Sequence, residues 1–173
     1  MTHLFHRRLS RGFTLVELLV VIAIIGVLAT LLLLQLGVAR QRARDAKRIA
    51  DVNQVRTGLE LYFDDNGQYP QIATYGTSNG TGLGPSLVPK YLTLLPIDPL
   101  NNSPWLYRYA YNGNTKYQIS AVMEQWAQAM NADTDINSTA GGWSGQTVDG
   151  TQDAKTDCTT PSLTDCIYDQ GQG

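Results

Sequence analysis

Histidine is nearly missing: the 173-residue chain has two, His3 and His6, and none after them. A Ser-His-Asp or Cys-His catalytic arrangement, or a histidine metal site, would need a histidine from the first six positions, which excludes those chemistries from the body of the chain. Cysteine is equally scarce, and Cys158 and Cys166 stand too far apart for a Cys-x-x-Cys pair. No glycine-rich phosphate-binding signature precedes a helical pattern. Charge is sparse too, at 16% of residues with a formal net charge of -2. The expectation is a protein that is not an enzyme and that has no general affinity for nucleic acid.

What the chain does have is one long apolar run. From Phe13 to Ala39 the only polar side chains are Thr14, Glu17, Thr30 and Gln35. At 1.5 Å per residue this makes about 40 Å of helix, and a hydrocarbon core needs only about 20 residues. The run also exceeds the roughly 7 to 15 residues of a secretory h-region. Its single charge is Glu17, and a carboxylate in hydrocarbon costs on the order of 2.5 to 3.5 kcal/mol, so it calls for a partner. No cation lies within the run. The nearest, Arg11, belongs to a short head with His3, His6, Arg7 and Arg8. Cleavage after Gly12 would create a cation: the new amine of Phe13 would lie one helical turn before Glu17, equally available to a neighbouring chain. Glu17 would then occupy the first turns of a helix, where the macrodipole favours negative charge. A signal anchor whose glutamate meets headgroups by chance is the plain alternative.

The stretch from Arg11 to Ala29, RGFTLVELLVVIAIIGVLA, resembles the class III leader and first helix of type IV pilins and their pseudopilin relatives. The resemblance implies that a membrane-embedded prepilin peptidase cuts between Gly12 and Phe13 and N-methylates the amine of Phe13. It implies that Glu17 docks the subunit against the Phe13 amine of a neighbour, so that the chain's main partner is itself, with an inner-membrane assembly platform receiving it. It also implies a single-pass protein of the cytoplasmic membrane with a cytoplasmic leader, later part of an extracytoplasmic filament. Charge alone does not settle that orientation, because Arg7, Arg8 and Arg11 precede the span while Arg40, Arg42, Arg44, Lys47 and Arg48 follow it. Leu34 stands where many relatives have proline, so the helix is expected to run unbroken. Gly26 and Gly37 are its weak points, at roughly 1 kcal/mol each relative to alanine.

The organisation expected on this basis is a leader 1–12, a transmembrane and assembly half-helix 13–39, an amphipathic half 40–66, a globular head 67–130 and an irregular acidic tail 131–173. Ile49, Val52, Val55, Leu59, Tyr62 and Phe63 recur at spacings of three and four, forming one apolar stripe. Asp64 to Gly67 with Pro70 supplies the helix stop. The cations between Arg40 and Arg56 read as a solvated helix face or as an anchor on anionic headgroups, where each contributes about 1 kcal/mol. Pairing with acidic head residues of another subunit is an alternative, and DNA bound along a filament a lesser one. Residues 71–89 read as a surface loop, and Pro89 to Pro96 as a turn or short helix. Tyr107, Tyr109 and Tyr111 alternate toward Asn112-Gly113, a hairpin turn signal, and Tyr117, Ile119, Ala121 and Met123 alternate on the return strand. These tyrosines, with Trp105 and Trp126, are expected in the core of the sheet, the alternatives being sugar stacking or electron transfer. The fold class is therefore α+β: a long N-terminal helix packed on a small antiparallel sheet. To about Met123 the order of elements is similar to that of the major pseudopilins of type II secretion.

Cys158 and Cys166 suggest one disulfide, which the extracytoplasmic location implied by the resemblance permits. Two free thiols are the alternative. Asp133, Asp135 and Asn137 alternate like the start of a calcium loop, and major pseudopilins often bind calcium in a late loop. Ser138 and Ser144 occupy the places where an EF-hand needs glycine and glutamate, so that motif is absent. Asp149, Asp153, Asp157, Asp165 and Asp169 could supply other oxygens, but a solvated acidic tail is the plainer reading, with no cofactor. The expected function is a structural subunit of a type IV pilus-like filament. A pseudopilin of type II secretion is the alternative, and a membrane-anchored binding module that does not polymerise ranks below both.

Overall fold

The computed structural model describes residues 12–76, 80–151, 158 and 166–173. Helix α1 runs without a break from Leu15 to Asn66, through Gly26, Leu34 and Gly37. Its start is a reciprocal capping box. Thr14 Oγ1 accepts from Glu17 N at 3.2 Å, while Glu17 Oε2 accepts from Thr14 N at 2.8 Å and from Thr14 Oγ1 at 2.7 Å. Its end is the predicted stop: Gly67 takes the left-handed conformation at φ 69° and donates its N–H to Phe63 O. Contacts divide the chain into a unit ending at Ala39 and a second unit from Arg40 to Gly173. The first holds the one stretch long and apolar enough to cross a membrane among the described residues, and none of it is buried within the chain.

In the second unit, four antiparallel strands form one sheet: β1 Arg108–Asn112, β2 Lys116–Val122, β3 Ser144–Gly145 and β4 Ile167–Gln172, in the order β3-β1-β2-β4. One face packs on α1 from Arg40 onward. Tyr107 Oη donates to Asp51 at 2.7 Å and Tyr117 Oη to Glu60 at 2.7 Å, while Tyr168 Oη accepts from Asn53 at 3.1 Å. The predicted stripe lies beneath: Val52, Val55 and Leu59 are buried, with Ile49, Tyr62 and Phe63 packed at the edge of the core. Gly58 is where the loop comes closest, since a Cβ there would sit 2.9 Å from Leu92 Cγ.

The β1–β2 hairpin forms as expected, with a three-residue loop, Gly113 to Thr115, because Asn112 pairs with Lys116. Other expectations need correction. Residues 71–89, read as a surface loop, contain a short helix, α2 Gly84–Leu87 with Pro85 in its first turn, while the stretch from Pro89 opens in a turn as expected. Trp126 is 37% exposed and does not belong to the core, and Trp105 is only partly buried. The largest correction concerns 131–173, expected as an irregular tail: its described residues supply β3 and β4. The sheet face away from α1 is buried too, at Arg108, Ala110, Gln118 and Ser120, and Ile136 lies against it at Gln118 and Asp169. Gln118 Nε2 donates across that face to Ile136 O at 2.6 Å and to Asp169 Oδ2 at 2.7 Å.

Candidate functional site

The residues expected to govern processing and assembly lie together at the head of α1. Gly12, Phe13 and Glu17 are all exposed, Phe13 by 75%. The Glu17 carboxylate is held against Thr14 by the capping box, in the first turn of α1. An acid there also meets the positive end of the helix dipole. Around it the apolar side chains from Leu15 to Leu33 are exposed among the described residues. A surface of this kind is stable only in lipid or against other helices.

Among the cations of α1, Arg40, Arg42, Lys47 and Arg56 are exposed, as a solvated face requires, but Arg44 is half-buried and Arg48 departs from it altogether. Arg48 is fully buried, and its guanidinium reaches three carboxylates. It donates to Asp98 at 2.6 and 3.1 Å, to Asp45 at 2.7 Å and to Glu124 at 2.7 Å. Arg44 adds a two-pronged contact with Glu124 at 2.7 and 2.5 Å. Asp45 accepts the backbone N–H groups of Glu124 and Gln125 at 2.9 and 2.8 Å, and Asp98 accepts from Leu100 N at 2.8 Å. One guanidinium thus ties α1 to the loop before β1 and to the chain leaving β2. Burial works against the charge on Arg48, but its hydrogen bonds to the three carboxylates outweigh it and hold the proton more firmly than usual. For Glu124, burial is likewise outweighed, by Arg44 and Arg48, and its carboxyl lies below the ordinary range. Burial prevails at Asp45 and pushes its carboxyl up. Arg44 and Arg48 therefore pair with carboxylates of their own chain. The spacing of Asp45 and Arg48 was visible in the sequence, but Asp98 and Glu124 lie 50 and 76 positions from Arg48, with no local signal linking them.

Of the calcium candidates, Asp133 and Asn137 make hydrogen bonds within the chain, and Asp135 and Asn137 line one open hollow. Asp133 Oδ2 accepts from Asp169 N at 3.2 Å, and Asn137 Oδ1 accepts from Thr139 N at 3.0 Å and Thr139 Oγ1 at 2.6 Å. Asp135 is exposed at φ 47°, and Asp149 Oδ1 caps Thr151. Asp169 is fully buried, a correction to the solvated-tail reading, and accepts from Ile136 N at 3.0 Å. Burial raises its carboxyl above the ordinary range. Asp153, Asp157 and Asp165 lie outside the described residues. Among the described residues no group of three or more Asp, Glu, His or Cys is placed to hold a metal. Cys158 and Cys166 are joined in a disulfide, both buried, and Cys166 O accepts from Met123 N at 2.8 Å, fastening the link beside the end of β2.

Comparison with known proteins agrees with this anatomy. Residues 7–33 match the model of the prokaryotic N-terminal methylation motif. The chain is 36% identical over 101 residues to type II secretion system core protein G of Escherichia coli K12, a match covering 54% of this chain and 68% of the relative. With the protein of the same name from Pseudomonas aeruginosa it is 32% identical over 109 residues, 58% of this chain and 75% of the relative. With the type IV wide pilus major component PilA4 of Thermus thermophilus it is 47% identical over 62 residues, 36% of this chain and 47% of the relative. No solved structure matches. With the methylation motif at the head of an exposed apolar helix, an α+β unit behind it and these relatives, the chain belongs to the superfamily of type IV pilins and type II secretion pseudopilins.

Proposed function

We propose that this chain is a structural subunit of a type IV pilus-like filament. A prepilin peptidase cuts between Gly12 and Phe13 and methylates the new amine, and α1 holds the subunit in the cytoplasmic membrane with its N-terminus inside. An inner-membrane assembly platform receives it, and copies then stack through their apolar helices. The observation that carries this reading is Glu17: a single carboxylate at the head of an apolar helix, bonded to its own Thr14 and to no other side chain among the described residues. In a helix bundle the Phe13 amine of a neighbour offers the missing countercharge, and an ion pair in low dielectric fixes the register of one helix against the next. Mass spectrometry of the native chain tests this directly. A mature N-terminus of methylated Phe13, found in purified surface fibres, supports the reading; an intact Met1 on a dispersed monomer refutes it.

A secretion pseudopilus is the second reading. The relatives named type II secretion core protein G align over 101 and 109 residues, against 62 for the pilus component. Deletion of the gene separates the two: loss of long surface fibres points to a pilus, and loss of exoprotein release with fibres intact points to a pseudopilus.

A further inference from the structure

The segment leading to β3 carries a pattern that filament assembly does not use. Asp135-Ile136-Asn137-Ser138-Thr139 is an Asn-x-Ser/Thr acceptor without proline in the middle, and it has a carboxylate two positions before the asparagine. We propose that Asn137 is a site of N-linked glycosylation, taking an oligosaccharide from a lipid pyrophosphate donor. The inference rests on the reading above only in needing the head outside the cytoplasm.

The geometry suits an acceptor. Asp135, Asn137 and Thr139 are exposed, while Ile136 and Ser138 between them are buried. The three side chains a transferase must grip therefore project together, and the other two fasten the segment. Ser138 Oγ donates to Val148 O at 2.9 Å and accepts from Val148 N at 2.8 Å. The Thr139 hydroxyl already lies against the Asn137 carboxamide oxygen at 2.6 Å, and Nδ2 donates to no described residue. In the transfer Nδ2 attacks the anomeric carbon and forms a C–N bond as the C–O bond to pyrophosphate breaks. The electron pair leaves on the lipid pyrophosphate, and the amide proton goes to a base of the transferase.

Position and surroundings point the same way. Ile136 accepts from Gln118 on the sheet face away from α1, so a bulky polar group at Asn137 stays clear of the packed helix face. Asn137, Asp135 and Trp143 share an open hollow of about 370 Å³, which gives the first sugar an indole face and polar groups to rest on. The other acceptor patterns fit less well. Asn101-Asn102-Ser103 is followed by Pro104 and has Pro99 two positions before it, and Asn79-Gly80-Thr81 has Thr77 there.

The test is mass spectrometry of the full chain isolated from its native host, as intact protein and as the tryptic peptide 117–155. We expect a glycan mass on Asn137 that is lost in Asn137→Gln and Thr139→Ala, retained in Thr139→Ser, and unaffected by Asn101→Gln. An unmodified Asn137 in chains with a mature Phe13 terminus and an oxidised Cys158–Cys166 bond overturns the inference and leaves the filament reading standing. A glycan on serine or threonine only also overturns it. An uncut chain with reduced thiols refutes both.

Discussion

Replacing Arg48 by methionine keeps a long apolar stem and deletes the guanidinium. Asp45, Asp98 and Glu124, all buried, are then left with Arg44 as their cation. Removing one partner of a buried ion pair costs about 3 to 5 kcal/mol, because the surviving charges stay desolvated without compensation. Water entry and proton uptake by the cluster relieve part of this, which places the loss near the lower figure, about 3 to 4 kcal/mol. For a head of this size each kcal/mol moves Tm by about 3 to 5 °C, so a fall of roughly 10 to 20 °C is expected. Near-UV circular dichroism of the full chain in detergent follows it through the tyrosines of the sheet. Arg48→Lys keeps the charge but not the planar fork that serves three carboxylates, and should fall between. Lys47→Met is the control: its pair with Asp51 is half exposed, worth under about 1 kcal/mol. Melting of Arg48→Met within about 3 °C of wild type, or level with Lys47→Met, would refute the reasoning.

Three further outcomes are expected. Glu124 has a folded pKa below its ordinary 4.5, so the stability it confers is complete above that pH and disappears as pH falls through the folded value. The Tm gap between wild type and Glu124→Gln should thus be widest near neutrality and close in acid, and a constant gap rejects the assignment. Asp45 and Asp169, raised by burial, act with the opposite sign, which is why the gap and not the raw curve is the readout. Glu17→Ala should insert into the membrane normally but fail to build fibres, scored by fractionation and electron microscopy; normal fibres from this variant contradict the docking role. Cys158→Ser should cost the head roughly 2 to 3 kcal/mol in a denaturant titration, the loop-closure entropy of a short ring, and an unchanged midpoint would show that the link contributes nothing to stability.

The apolar half of α1 was legible because its signals are local: a long apolar run and one acid near its head. The stripe from Val52 to Leu59 and the β1–β2 hairpin were legible for the same reason, through periods of 3.6 and 2. The strands after Met130 were not. β4 reads Ile-Tyr-Asp-Gln-Gly-Gln, with an acid and glycine where propensity disfavours a strand, and it forms because β2 offers an edge and Gln118 offers Asp169 a donor. β3 has two residues, too few for any pattern. Arg48 was misread because surface and buried cations look alike along a helix until partners 50 or more positions away are known.

Because the strand beside β2 is drawn from residues 167–172, the ribosome completes this sheet last, long after the apolar stem has emerged and can enter the bilayer. Until then β2 carries a raw edge, the kind of surface on which stalled or shortened chains join one another. A newly made subunit would wait, its sheet unfinished, until residues 167–172 arrive, and any factor that greets such chains has that bare strand to recognise.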